Sequence, residues 1–393
     1  ALTAIDEFLA RSPDAKILRL KVELLMSQKR PTEALEAVDD LLQLSPNDPA
    51  ALLLKGRIIR TLGDDPERSV ELFERAVKID PQCKKGFLML SDLWLSLNSF
   101  DNALKAAEEA LKLDPYITGA LVNKGQALLR LNRYQDAIES FNQANDLEPN
   151  NIRMLTGRGE CLRSLFRFEE ALTNLRKAWK LAERDDLSNG GKISVNEKIM
   201  ILHNKALSLL MLSRIDEASE IAEKGDKLSP HNSRILADLA AICRFKGKYH
   251  HAMDYVEKSL KYDLDKENDM AWVLKAFLQI DVTEYRNALK SIDEAISISN
   301  KHRGSLIGKD FLFTVKGWIT LLLGPKNCLK AKKFFETAID INPENPNPMA
   351  LFGHAQTLRM LNDKNSAENE YKKIIESFKK LEKIKMNAAI LSF

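Results

Sequence analysis

Hydrophobic residues recur along the chain at intervals of three and four positions, in stretches separated by short polar segments. One stretch places Leu121, Gly125, Leu128 and Leu129 on the same side of a helical projection. Apolar residues at this spacing predict amphipathic α-helices, each with one face in a protein core. The polar segments, such as residues 132–134, have the length of helix–helix turns. The pattern therefore predicts consecutive helix pairs.

The same pattern returns every 34 residues through much of the chain. Ala137 has Ala103 34 residues before it and Ala171 34 residues after it. With two longer intervals allowed, this marker position extends through Ala1, Ala34, Ser69, Ala103, Ala137, Ala171, Ala218, Ala252, Ala288, Ala331 and Ala367. Repetition at this period indicates small helical units stacked into an array. We count ten full repeats after a half repeat at the start.

A second small residue precedes most of these markers by twelve positions. It is Ser91, Gly125, Gly159, Ala206, Ala240, Ala276 or Ala355, with Val22 as the exception in size. Gly56 precedes its marker by 13 positions, and an insertion places Gly317 14 positions before its marker. A small side chain lets two helices approach closely, and a larger one there would overpack the core at a cost of roughly 1–3 kcal/mol. Prolines then end the second helices, at positions 46, 81, 115, 149, 230 and 343.

These residues resemble the tetratricopeptide-repeat family. The matched series includes Gly125, Ala137, Phe141, Ala144 and Pro149, and its copies extend over about residues 1–377. A single copy would be a weak match, whereas ten copies in register are specific. Helix periodicity and the resemblance both lead to an all-α fold, a right-handed superhelical α-solenoid of helix-turn-helix repeats.

The register also divides the chain into blocks. We predict a partial repeat at 1–14, five repeats at 15–181, an insertion at 182–198, three repeats at 199–298, a second insertion at 299–309, two repeats at 310–377 and a capping helix at 378–393. Insertions in solenoids emerge as loops or lengthened helices. We interpret these two as tolerated loops, with partner contact as the alternative. The C-terminal helix is basic and amphipathic, so a partner or a membrane surface is the alternative to capping.

Composition narrows the functional classes. A net charge of +3 gives no basis for nucleic-acid binding. Four cysteines stand far apart in the sequence, at Cys83, Cys161, Cys243 and Cys328, which predicts free thiols in a reducing, cytoplasmic compartment. No apolar run approaches the roughly 18 residues of a membrane span.

Candidate catalytic or metal motifs are weak. Residues 188–192 (SNGGK) lack the spacing of a phosphate-binding loop, and residues 263–274 lack the glycine and the final glutamate of a calcium loop. His250 and His251 are adjacent on a helix and point apart, so we interpret them as surface residues. We therefore expect no metal, no cofactor and no enzymatic activity.

Binding is the remaining function. In the family that the chain resembles, the first helix of each repeat lines a concave groove, and by register nine residues here are expected in it: Arg57, Arg60, Asn123, Arg130, Arg153, Arg163, Asn204, Arg234 and Arg244. The excess of arginine favours an acidic peptide, against the alternative of an ordinary solvated face.

The family's chaperone-binding members hold a terminal carboxylate with a clamp of Lys, Asn and Arg side chains. Asn123 with Arg153, and Asn204 with Arg234, match two places of that clamp. The other places hold Leu88, Asp92 and Gly157 in the first set and Thr156, Glu160 and Asp238 in the second. Neither clamp is complete, and we do not expect recognition of a chaperone tail.

The leading hypothesis is a non-enzymatic scaffold or adaptor that binds protein or peptide segments in its groove. The alternative is the partner-recruiting region of a larger enzyme or signalling protein whose catalytic domain lies outside this chain. Association into a homo-oligomer and attachment to a membrane through another segment also stay open.

Overall fold

The computed structural model describes residues 2–12, 14–63, 65–187, 193–263, 268–301, 307–343 and 346–382, and the side chains within these ranges except those of residues 11 and 376–382. All regular elements in these ranges are helical. The α-helices are α1 Leu2–Arg11, α2 Ala15–Ser27, α3 Pro31–Leu44, α4 Pro49–Leu62, α5 Pro66–Ile79, α6 Lys84–Ser96, α7 Phe100–Leu113, α8 Thr118–Arg130, α9 Tyr134–Leu147, α10 Ile152–Ser164, α11 Phe168–Leu187, α12 Val195–Met211, α13 Ile215–Leu228, α14 Ser233–Phe245, α15 Tyr249–Tyr262, α16 Asp269–Asp281, α17 Tyr285–Lys301, α18 Lys309–Leu322, α19 Cys328–Ile341, α20 Pro348–Met360 and α21 Lys364–Glu382.

The chain forms two compact units, Ala1–Gly157 and Arg158–Phe393. Within each unit a helix packs on the next helix in the chain, as α6 does on α7 and α14 on α15. Even-numbered helices also contact one another, in the pairs α2 with α4, α6 with α8, α12 with α14, α14 with α16, and α18 with α20. We call the even-numbered helices the A helices and the odd-numbered ones the B helices. Each unit is thus an all-α solenoid, as the sequence predicts.

A left-handed backbone conformation ends most A helices. After α8, Asn132 has φ 60°, its N–H donates to the carbonyl of Leu129 at 3.1 Å, and the N–H of Arg133 donates to that of Leu128 at 2.9 Å. These bonds satisfy carbonyls that the last helical turn leaves without a partner. Asparagine adopts this conformation at low cost, which explains why a three-residue turn reverses the chain before α9.

Proline stops the B helices two residues beyond their last helical residue. Pro115 follows α7, which ends at Leu113, and Pro149 follows α9, which ends at Leu147. The same offset recurs after α3, α5, α13 and α19. Because proline has no N–H and disfavours helical backbone in the residue before it, it fixes the end of each helix.

Each repeat has a tightly packed crossing between its A and B helices. A Cβ placed on Gly125 of α8 would lie 2.5 Å from Cε1 of Phe141 on α9, and Phe141 is fully buried. A Cβ on Gly317 would likewise lie 2.6 Å from Phe335, and a Cβ on Gly159 would lie 2.8 Å from Leu175. The small position that the sequence singles out is therefore the point of closest approach.

The residue opposite the small position differs among the repeats. Glycine faces phenylalanine or leucine, whereas alanine at the same position shares a cluster with a β-branched side chain, Val256 with Ala240 and Ile292 with Ala276. Val22 and Val38, the exception noted in the sequence, share a third cluster. Different residue pairs therefore fill the contact between the A and B helices in different repeats.

The two insertions are partly helical where the structure describes them. α11 continues to Leu187 and α12 begins at Val195, so the ends of the first insertion lengthen both helices. The second insertion likewise extends α17 to Lys301. The described parts of both insertions are therefore partly helical and differ from the loops that the sequence predicts, because helical periodicity continues past the repeat boundary. Residues 188–192, 302–306 and 383–393 lie outside the described ranges, and the division into blocks stays a prediction.

Candidate protein-binding surface

The nine residues predicted for the groove all lie on A helices. They are Arg57 and Arg60 on α4, Asn123 and Arg130 on α8, Arg153 and Arg163 on α10, Asn204 on α12, and Arg234 and Arg244 on α14. Their side chains differ greatly in exposure, however. Arg57, Arg60, Arg153 and Arg234 are exposed, Arg130, Arg163 and Arg244 are half-buried, and both asparagines are buried. Their exposure therefore divides them into side chains that a ligand can reach and side chains that are largely covered by the protein.

In the first unit, an internal carboxylate occupies the asparagine–arginine pair. Asn123 Nδ2 donates to Asp92 Oδ1 at 3.0 Å. Arg153 Nη1 lies 3.7 Å from the same oxygen, and its Nη2 donates to Asn123 Oδ1 at 3.5 Å. Asp92 thus makes the contacts that a ligand carboxylate would make in a complete clamp. This arrangement links α6, α8 and α10.

In the second unit, arginines connect one A helix to the next. Arg163 Nε donates to Asn204 Oδ1 at 3.1 Å. Arg244 binds Asp281 with two hydrogen bonds, at 2.6 and 3.1 Å, and its guanidinium lies 5.1 Å from the ring centre of Phe277. A two-bond guanidinium–carboxylate contact fixes the relative position of both partners. These two arginines therefore serve the packing of the A helices.

A buried histidine–aspartate pair lies beside these residues. Nδ1 of His203 on α12 is 2.9 Å from both carboxylate oxygens of Asp238 on α14. Burial raises the pKa of the Asp238 carboxyl, and the neighbouring His203, Arg163 and Arg234 oppose that rise. In the sequence, Asp238 stands out only as an unmatched place of the second clamp, and no motif includes His203. The signal that could have found the pair is the sequence separation of 35, close to one repeat.

Another partly buried histidine lies near the end of the second unit. His354 on α20 has its Nε2 3.7 Å from Glu336 on α19 and its Nδ1 3.7 Å from Glu370 on α21. Both ring nitrogens lack a hydrogen-bond partner within the described part of the chain. Burial lowers the pKa of His354, the two glutamates oppose this, and Lys332 and Lys373 reinforce it.

The weak chemical motifs gain no support. His250 and His251 are exposed, as expected. Asn268, at the sixth place of the calcium-loop pattern, instead caps α16 by accepting a hydrogen bond from the N–H of Ala271 at 3.1 Å. Residues 188–192 lie outside the described ranges. In the described ranges, no group of three histidine, cysteine, aspartate or glutamate side chains could hold a metal ion, and no helix is long and apolar enough to cross a membrane.

Comparison with protein families agrees with the stacked helix pairs. One tetratricopeptide-repeat model matches residues 1–49 and 50–116, and a second matches residues 233–266. The chain belongs to the tetratricopeptide-repeat family. A model described as anaphase-promoting complex, cyclosome, subunit 3, also matches residues 96–178 of this repeat protein.

Solved structures with the same fold include a tetratricopeptide-repeat protein from Parabacteroides merdae, with a TM-score of 0.52 and 16% identity over 67% of this chain and 97% of that one. A MamA double mutant has a TM-score of 0.41 and 23% identity over 44% of this repeat protein and 97% of its own chain. YrrB, described as having an unusual peptide-binding site, has a TM-score of 0.40 and 21% identity over 47% and 95%. No curated protein sequence matches the chain.

Proposed function

We propose that this tetratricopeptide-repeat protein is a non-enzymatic scaffold that binds acidic protein segments along the exposed face of its A helices. The observation that supports this most directly is the set of exposed guanidinium groups on that face. Arg57 and Arg60 stand one turn apart on α4, and their side chains make no hydrogen bond or ion pair with any described residue. Arg234 on α14 is also exposed. A planar guanidinium suits recognition of carboxylates.

Several of the nine predicted groove residues already form hydrogen bonds within the protein, which makes them poorer candidates for binding a ligand. Arg163 and Arg244 already bond to neighbouring A helices, and Asn123 is bonded to Asp92. A ligand would have to break those bonds to use these side chains, so the exposed arginines are the better candidates. An acidic side chain of a bound segment fits them, whereas a terminal carboxylate would meet Asp92 at the incomplete clamp.

The experiment compares three forms of the chain as bait in lysate of the native host. The first is the natural chain, and the second carries Arg57→Glu, Arg60→Glu and Arg234→Glu. The third carries Lys78→Glu, Lys180→Glu and Lys227→Glu, which change the charge equally at exposed places on B helices. Captured partners are then titrated directly, as purified acidic segments, against all three forms.

The proposal predicts that segments bind the natural chain and the B-helix variant equally, and the A-helix variant at least tenfold more weakly. Equal binding to all three forms would place the interaction elsewhere, at the insertions or the C-terminal helix. Light scattering of the natural chain alone separates partner binding from self-association.

A further inference from the structure

A cation on the A helix repeatedly meets an acid on the preceding B helix. The cation stands one residue before the small position, and the acid stands five residues after the marker alanine. The Nζ–oxygen distances are 2.7 Å for Lys21–Asp6, 2.7 Å for Lys55–Asp39, 3.3 Å for Lys124–Glu108, 4.0 Å for Lys275–Glu257 and 2.7 Å for Lys316–Asp293. In the last repeat, His354 and Glu336 take the same places at 3.7 Å. This pair therefore joins helices of successive repeats at six junctions, three in each unit.

Four junctions lack the pair. Leu90 and Leu239 hold the place of the cation at α5–α6 and α13–α14, and Asn142 holds the place of the acid at α9–α10. Between α11 and α12, cations hold both places. Lys205 stands one residue before Ala206, as its counterparts do, but the place of the acid, five residues after Ala171, is held by Arg176. Neither Lys205 nor Arg176 makes a hydrogen bond or an ion pair within 4 Å to any described residue through its side chain. A recurring opposite-charge contact is thus replaced by two neighbouring cations.

The surrounding acids are already bound to other cations. Glu183 accepts a hydrogen bond from Lys224 at 2.9 Å, and Glu217 accepts one from Arg214 at 2.6 Å. Lys224 also lies 4.4 Å from the ring centre of Trp179, which holds it in place. Glu183 and Glu217 therefore compensate the charge of Lys205 only in part, through space, since neither forms a hydrogen bond or ion pair with Lys205 or Arg176.

The ammonium of Lys205 is also partly removed from water. Burial is the main cause that lowers the pKa of Lys205, and the nearby charges of Arg176 and Lys224 lower it further. Taking charge from water without a partner is unfavourable, and like charges at short range repel more strongly where water is partly excluded. An anion between the two side chains would remove both penalties.

We propose that Arg176 and Lys205 form a binding site for an oxyanion, a carboxylate or phosphate group carried by a partner, between α11 and α12. The guanidinium supplies two parallel donors and the ammonium a compact charge, a combination that suits both groups. The site lies on a B helix and the following A helix and does not depend on the exposed arginines of the proposed function. It gives the lengthened α11–α12 segment a binding role.

The test uses thermal unfolding of the full chain titrated with inorganic phosphate or with glutarate, against chloride at constant ionic strength. The natural chain should show a saturable rise in unfolding midpoint with at least one of these anions. Arg176→Glu supplies the acid that most other repeats have, so it should raise the midpoint without added anion by about 1–3 °C and abolish the rise. Lys205→Met should abolish the rise without restoring a pair.

Lys180→Glu is the matched control, because it makes the same charge change at an exposed place on α11. It should keep the full anion response. A response to phosphate alone identifies a phosphate group as the ligand chemistry, and a response to glutarate alone identifies a carboxylate. The proposal is overturned if neither anion shifts the natural chain, or if Arg176→Glu responds as strongly as Lys180→Glu.

Discussion

Replacing Gly125 with alanine tests whether the closest helix crossing sets the stability of its repeat. The added Cβ would lie 2.5, 2.7 and 2.8 Å from three ring atoms of Phe141, distances well inside van der Waals contact. Phe141 is fully buried, and a Cβ placed on Gly157 would lie 2.6 Å from its Cζ, so the ring has little room to shift. The substitution must therefore displace a ring that is packed between two helices.

Two effects of opposite sign determine the result. Alanine favours helix over glycine by about 1 kcal/mol, and overpacking costs roughly 1–3 kcal/mol. We expect a net loss of up to about 2 kcal/mol in the free energy of unfolding. Phe141→Val should relieve the clash, because Ala240 shares a core cluster with Val256, which stands at the same offset in its repeat. The double mutant should then show a favourable coupling of at least about 1 kcal/mol.

The assay is urea unfolding followed by circular dichroism on the natural chain, both single variants and the double variant. Gly119→Ala, on the same helix, is the control. Its Cβ would meet Leu88 at 3.4 Å, close to ordinary contact, so the alanine should be neutral or mildly stabilising. If Gly125→Ala matched that control, or if the double variant lost the sum of the two single losses, close approach would not be what selects glycine.

Three further variants test other contacts. The lowered pKa of His354 means that the unfolded chain takes up its proton more readily, so stability should fall as pH drops below the ordinary value of 6.5; His354→Gln should flatten that dependence, and an unchanged slope in unfolding titrations would refute this. Arg244→Met leaves Asp281 without its two hydrogen bonds and should lower the free energy of unfolding by about 1–3 kcal/mol in thermal unfolding. A loss near zero would mean that this contact does not stabilise the packing of α14 on α16. Ser194→Ala removes the capping box of α12 and should cost about 1 kcal/mol, and an equal midpoint would show that the cap is replaced.

Helix pairing and close crossings were predictable from the sequence because each depends on residues within one repeat. Gly125 and Phe141 are 16 residues apart, and the periodic pattern places them on facing sides of neighbouring helices. The proline stops and the left-handed residues after A helices act over even shorter distances. Local rules of this kind need no knowledge of how the repeats are stacked.

The internal partners of the groove residues were not predictable in the same way. Arg163 reaches Asn204 across 41 residues that include an insertion, and Arg153 approaches Asp92 across two A helices. Which charged groups form contacts depends on side-chain conformations and on the offset between stacked helices. The sequence therefore predicts that these residues lie on A helices. Which of them are exposed, and which bind a neighbouring helix, depends on the three-dimensional packing.

The matched residue pairs at the helix crossings limit how the repeats could be recombined. A hybrid that joined α14, whose crossing residue is Ala240, to α9 would bring an added methyl group against Phe141. Joining α8 to α15 would instead place Gly125 against Val256 and leave an empty space. Transplanting both helices of one repeat together would avoid either fault. The interchangeable module in this chain is thus the matched helix pair and not the single helix.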